Sequence, residues 1–278
     1  MTRGVRRPTT LLLTAFIALA TTGFVQRAGA TLNPQQRRYV ALGDSYTAGP
    51  VIPLQLKTNE IPGGCLQSDH NYPHLVEQQL KLPQFKDASC SGAQTKDMTQ
   101  PQGVDPDGPN APQFDRLTSQ TTVVTIGIGG NDIGFTDIAK TCGQLAVQDP
   151  LGQPCHDHYV VNGDDQIADR VAAMAPKLDA VLRGIHTRSP HAKVFVVGYP
   201  SILPDTGDGC YPIMPIAKGD VSWVRGIEKN LNATIKSVAG ARNSVFVDTY
   251  TPSLGHDACQ VPTVKWVEPV VPTEPAAP

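Results

Sequence analysis

The sequence predicts an α/β fold, an open parallel sheet with helices on both faces. Three observations carry that expectation. Five apolar runs, at about 38–43, 85–89, 121–126, 193–198 and 244–248, have the length of buried strands. Amphipathic stretches with helical spacing lie between them. Turns rich in small and polar residues follow the first three runs, and in such sheets ligands bind beyond the carboxyl ends of the strands.

Each element has its own warrant. Thr122-Val123-Val124-Thr125-Ile126, Lys193-Val194-Phe195-Val196-Val197 and Ser244-Val245-Phe246-Val247 are rich in β-branched residues and do not alternate, as strands covered on both faces do. Ile167, Val171, Met174, Leu178, Val181 and Ile185 form a helical stripe behind a cap at Asp164 or Asp165. Pro176 is expected to kink that helix. Val224, Ile227, Leu231, Ile235 and Val238 form a second stripe, capped near Asp220. A third helix is expected over 73–81 with Pro73 in its first turn, and a weaker one over 132–141. Residues 50–71 and 100–113 are Pro-rich and read as long loops, which in a compact domain are functional or mobile. In the first of them, the apolar Val51-Ile52-Pro53-Leu54-Gln55-Leu56 is expected to line an acyl site.

The N-terminus sets the compartment. Arg3, Arg6 and Arg7 precede an apolar stretch from Leu11 to Val25, and Ala28-Gly29-Ala30 fits a cleavage site. This is the layout of a secretory signal peptide over 1–30, leaving 31–278 as one domain, secreted or in the cell envelope. No other segment approaches membrane-spanning length, so the mature chain is not expected to be integral to the membrane; it is expected to be a monomer. With 23 basic and 25 acidic residues and no basic tract, nucleic acid is not an expected partner. All six cysteines lie beyond the leader: Cys65, Cys90, Cys142, Cys155, Cys210 and Cys259. An even count in an exported chain argues for three disulfides. The count leaves the pairing open; order along the chain suggests Cys65–Cys90, Cys142–Cys155 and Cys210–Cys259. There is no C-x-x-C, and His156 and His158 beside Cys155 lack zinc-finger spacing, so neither metal nor cofactor is expected.

The chemistry lies in the turns. Gly43-Asp44-Ser45 follows the first strand and puts a hydroxyl beyond the sheet edge, a position for a nucleophile. Cys90-Ser91-Gly92-Ala93 follows the second, and Gly127-Ile128-Gly129-Gly130-Asn131-Asp132 the third. Ester hydrolysis through serine needs donors for a tetrahedral oxyanion. The backbone N–H groups of Ser45 and Gly92 and the side-chain amide of Asn131 are the candidates, a glycine allowing close approach to the backbone. Gly-x-Ser-x-Gly fails here because Thr47 stands at its last glycine, which disfavours a classical α/β-hydrolase.

Together the three turns resemble the SGNH, or GDSL-like, hydrolase family, and within it the secreted actinobacterial esterases and lipases. Gly43-Asp44-Ser45, Gly92 and Gly129-Gly130-Asn131-Asp132 match three of its blocks in order. Gly198-Tyr199-Pro200 and Gly255-His256-Asp257-Ala258-Cys259 resemble further landmarks. The resemblance implies a flavodoxin-like three-layer α/β/α sandwich with a five-stranded parallel sheet and the same three disulfide pairs. It also implies an acyl-enzyme on Ser45, with a small-molecule or lipid ester as substrate. The family's fourth block, which carries the base histidine before a closing helix, follows a Trp-Val-Glu-Pro stretch. Here Lys265-Trp266-Val267-Glu268-Pro269 is present, no histidine follows His256, and the sequence runs out before that block and helix. His256 is the candidate substitute base; the other histidines read as surface residues. The expectation is therefore a serine esterase or lipase, with a catalytically impaired family member as the alternative. Asn232-Ala233-Thr234 fits a glycosylation acceptor and reads as surface.

Overall fold

The computed structural model describes residues 37–269, so the leader reading of 1–30 and the stretch from 270 onward lie outside the described residues. In chain order the strands are β1 (Arg38–Gly43), β2 (Gln84–Asp87), β3 (Val123–Gly127), β4 (Val160–Val161), β5 (Asp164–Asp165), β6 (Lys193–Val197) and β7 (Val245–Val247). Five of them form one sheet in the order β2-β1-β3-β6-β7, every pair parallel. β4 and β5 pair antiparallel as a separate hairpin. The chain leaves β1 in one direction to β2 and then crosses back to β3. The β1/β3 boundary is thus the point at which connections diverge, where open α/β sheets hold ligands. Register places Gly43 level with Gly127, so the turns after β1 and β3 begin at the same height.

The helices are α1 (Ser45–Ala48), α2 (Tyr72–Leu80), α3 (Phe135–Gln148), α4 (Pro154–Tyr159), α5 (Gln166–Arg188) and α6 (Val221–Ala241). α5 starts at Asp165, whose carboxylate accepts from the N–H groups of Ile167 and Ala168 at 2.9 and 3.0 Å. All six stripe residues of α5 are buried, and the helix runs on through Pro176. α6 begins after Asp220, but that carboxylate does not cap it. It accepts instead from Cys155 and His156 at 3.0 and 2.8 Å, closing the first turn of α4, a helix not anticipated from the sequence. The weak third-turn helix is longer and later than expected, because the Gly-rich turn extends through Gly134 before α3 starts.

The sheet is covered unequally. Val40, Leu42, Val124, Ile126, Val194 and Val196 pack with the stripes of α5 and α6 into the main core. On the other face Tyr39, Ala41 and Leu82 form a smaller cluster with Val76 of α2 and Phe85. The outer strands are not covered on both faces, since Val245 and Val247 of β7 are 44% and 36% exposed. The disulfides are Cys65–Cys90, Cys142–Cys155 and Cys210–Cys259. Among the described residues no helix is long and apolar enough to cross a membrane.

Gly43 is the residue on which the first turn depends. Its φ of +148° is open to glycine, and a Cβ there would lie 2.2 Å from Thr47 Oγ1 and 2.6 Å from the Gly127 carbonyl. Gly43→Ala is expected to destabilise the protein by about 2–4 kcal/mol, combining strain with overpacking. Urea unfolding followed by circular dichroism measures this, and a loss within the usual surface range of about 0.5 kcal/mol would contradict it.

Candidate active site

The turn after β1 is held from three sides. Gln113, itself buried, accepts from the Gly43 N–H at 2.8 Å and donates to the Gly43 carbonyl at 2.9 Å. The Asp44 N–H donates to the Gly127 carbonyl at 3.0 Å, tying the turn to the end of β3. Asp44 Oδ1 accepts from the Tyr46 N–H at 3.0 Å and caps α1, so Ser45 opens a single helical turn. Ser45 is half-buried, and its backbone N–H has no protein acceptor among the described residues.

The second and third turns are knitted together. Asn131 donates its amide to the Ala93 carbonyl at 2.9 Å, and Gln94 donates to the Asn131 carbonyl at 2.9 Å. Asp132 accepts from Thr95 N–H at 3.0 Å and from the Thr95 hydroxyl at 2.5 Å. Asn131 thereby keeps one amide N–H to offer elsewhere.

Ser45 and Asn131 line one cavity, whose other walls include Tyr46, Gly130, Phe135, Tyr199, Ile202, Glu228 and Leu231. Gly92 is exposed, has φ +80°, and borders a neighbouring groove with Ser91, Gln94 and Gln102. Its N–H also has no protein acceptor among the described residues. The loop 51–56 does not line the Ser45 cavity: Val51 and Leu54 are 71% and 67% exposed. The apolar wall comes instead from α3, α6 and the segment after β6.

A feature not anticipated from the sequence is the role of Tyr199. Its hydroxyl donates to Asp44 Oδ2 at 2.5 Å and accepts from the Gly130 N–H at 2.8 Å. Its own backbone is clamped by Asn232, which accepts from Tyr199 N–H at 2.9 Å and donates to Tyr199 O at 3.0 Å. Asn232 is therefore buried within the fold rather than a surface acceptor for glycan. Its position one residue beyond Leu231, on the flank of an apolar stripe, was the available signal.

None of the seven histidines, all among the described residues, lines the Ser45 cavity. His256 stacks on Trp266 with ring centroids 4.0 Å apart, and its Nδ1–H donates to the Val264 carbonyl at 2.5 Å. Both contacts fix it as a strut for the segment 261–269. His70 and His74 pair with Asp69 and Asn71, and His186 bonds the Arg242 carbonyl.

The family model for GDSL-like lipases and acylhydrolases matches residues 41–273, which spans all three turns. The chain belongs to this family. Lipase 2 of Streptomyces coelicolor is 39% identical over 242 residues, covering 84% of this chain and 76% of that protein. Among solved structures, phospholipase A1 from Streptomyces albidoflavus superposes with a TM-score of 0.66 at 26% identity, covering 83% of this chain and 86% of that one. The extracellular lipase of Streptomyces rimosus gives 0.61 at 27% identity, covering 84% and 92%. The fold is accordingly the SGNH hydrolase fold, and the chain is an SGNH serine hydrolase of the actinobacterial esterase/lipase type.

Burial pushes the Asp44 carboxyl up from 3.8 to about 7, against the pull of the Tyr199 hydroxyl and the Tyr46 N–H. A folded-state value above the unfolded one means that the stability it lends is fully present below pH 3.8 and is lost as pH rises towards about 7. Asp44→Asn keeps an acceptor for Tyr199 and removes this titration. Its stability relative to wild type is expected to improve steadily from pH 4 to pH 7, the window between the two values, in urea titrations across that range. A difference independent of pH would show that Asp44 is ionised throughout.

Proposed function

We propose that this SGNH hydrolase is a secreted serine carboxylic-ester hydrolase acting through an acyl-enzyme on Ser45. The observation that supports it most is that Ser45 and Asn131, far apart in sequence, line one largely apolar cavity with Asn131 held rigidly by Ala93. In this reading the Ser45 hydroxyl attacks the ester carbonyl and the alcohol leaves. Water then releases the acid. The developing oxyanion is held by the Ser45 N–H, the Gly92 N–H and the Asn131 amide. The leader pattern, the three disulfides and the similarity to an extracellular lipase of S. rimosus support export. A small-molecule or lipid ester is the substrate class.

One observation favours a second reading, a member that binds esters and turns them over slowly. No described histidine lines the cavity, and a serine hydrolase without its base typically loses about 10⁴–10⁶ in rate while its donors and binding retain some catalysis. Hydrolysis of p-nitrophenyl butanoate separates the two. Under the first reading Ser45→Ala abolishes turnover above background, and Asn131→Ala lowers kcat about 10²–10³-fold. Under the second, turnover is near background while the butanamide analogue of the substrate still binds, as calorimetry would read. Equal rates for wild type and Ser45→Ala, with no binding, would end both. Because His256 is engaged with Trp266 and Val264, His256→Ala is expected to leave the Ser45-dependent rate within about two-fold, at most a modest stability effect; a loss of orders of magnitude would make it the base.

A further inference from the structure

The cavity that holds Ser45 carries a polar group on α6 that the hydrolytic scheme leaves unused. Glu228 lines this cavity and is only 3% exposed. Its Oε1 accepts from the Ile202 N–H at 3.0 Å, while Oε2 is buried with no hydrogen-bond partner among the described residues. Around it the wall is hydrocarbon, from Phe135, Ile202, Ile227 and Leu231. Oε2 is shut off from water as well as from protein donors, so an arm of methylenes alone leaves it unsatisfied, whereas an arm with a suitably placed oxygen satisfies it.

Resting on the hydrolase reading above, we propose that Glu228 is a specificity-determining residue. It selects esters whose bound arm bears a second, hydrogen-bond-accepting oxygen, such as an ether or a further ester carbonyl, over all-hydrocarbon esters of the same length. The direction of the hydrogen bond follows from protonation. Burial raises the Glu228 carboxyl from 4.5 to about 8, with Asp257 adding to the rise and Lys229 opposing it. Asp44, Tyr46 and Tyr199 share the cavity and bring no cation to it. At neutral pH the group is an acid that donates from Oε2. A site built around such a donor discriminates more sharply than one that merely fits methylenes.

The test uses isosteric ester pairs that differ by one CH₂-to-oxygen exchange. On the acyl side these are p-nitrophenyl hexanoate against p-nitrophenyl 3-ethoxypropanoate and 4-methoxybutanoate. On the alcohol side they are pentyl propanoate against 2-ethoxyethyl propanoate. Ser45-dependent kcat/KM is measured for wild type, Glu228→Gln and Glu228→Leu. In one arm at least, the ether-to-hydrocarbon ratio is expected to be about ten-fold or more higher in wild type than in Glu228→Leu, and Glu228→Gln, which retains a donor, is expected to keep the wild-type preference. The arm that responds identifies which half of the ester occupies the cavity. In wild type the ratio falls as pH rises through about 8, and in Glu228→Gln it does not. If Glu228→Leu does not fold, this comparison of pH profiles decides. Ratios equal within two-fold in all proteins and both arms, or a preference for ammonium-bearing esters, would overturn the proposal. Loss of Ser45 dependence would instead overturn the hydrolase reading. If turnover is too slow, dissociation constants of the corresponding alkyl and alkoxyalkyl amides give the same ratio.

Discussion

The hydrogen bond between the Tyr199 hydroxyl and the Asp44 carboxylate holds the site together. Asp44 belongs to the first turn and Tyr199 to the segment after β6, and the same hydroxyl accepts from Gly130 in the third turn. One buried oxygen thus fixes three strand ends relative to each other. Asp44 in turn caps the helical turn that begins with Ser45. The position of Ser45 is therefore set by a network that reaches through Asn232 to α6, and not by the local turn alone. Such a network is valuable only when every member is satisfied, because an unpaired group in its interior costs more than the bond contributes.

The second layer of support works on the proposed oxyanion donors. Asn131 is oriented by Ala93, Gln94 closes on its carbonyl, and Asp132 grips Thr95. The turns after β2 and β3 are consequently fastened to each other. The Cys65–Cys90 disulfide ties the long first loop to the same turn. Under the proposed mechanism, fixed placement of these donors matters because oxyanion stabilisation acts through preorganisation, with no reorganisation left to the moment of reaction. Gly92 and Asn131 sit on elements fastened to each other, although they border different surface depressions.

Much of this was legible in the chain. Strands β1 and β3 were evident because central strands, buried on both faces, leave continuous apolar runs, and β6 by its run of β-branched residues, although only Val194 and Val196 of it are fully buried. α5 and α6 were evident because each has a long stripe at helical spacing. α4 was not, since six residues carry too little periodicity and its first turn is closed by Asp220, remote in sequence. The same carboxylate had looked like the cap of α6; proximity in sequence suggested one helix and the fold presented another. The loop 51–56 looked like an acyl site because it is apolar, yet it lies at the surface, and the cavity wall comes from helix faces.

Local pattern determined the strand and helix identities, the order of the three chemical turns and the residue types they offer, because strand burial, helical spacing and glycine-dependent turns are properties of short stretches. Tertiary structure alone decided that Tyr199 bridges Asp44 and Gly130, that Asn232 turns inward, that His256 is engaged against Trp266, and that Glu228 faces the Ser45 cavity with one oxygen unpaired. These are pairings between residues many positions apart, and no periodicity encodes which buried polar group will meet which.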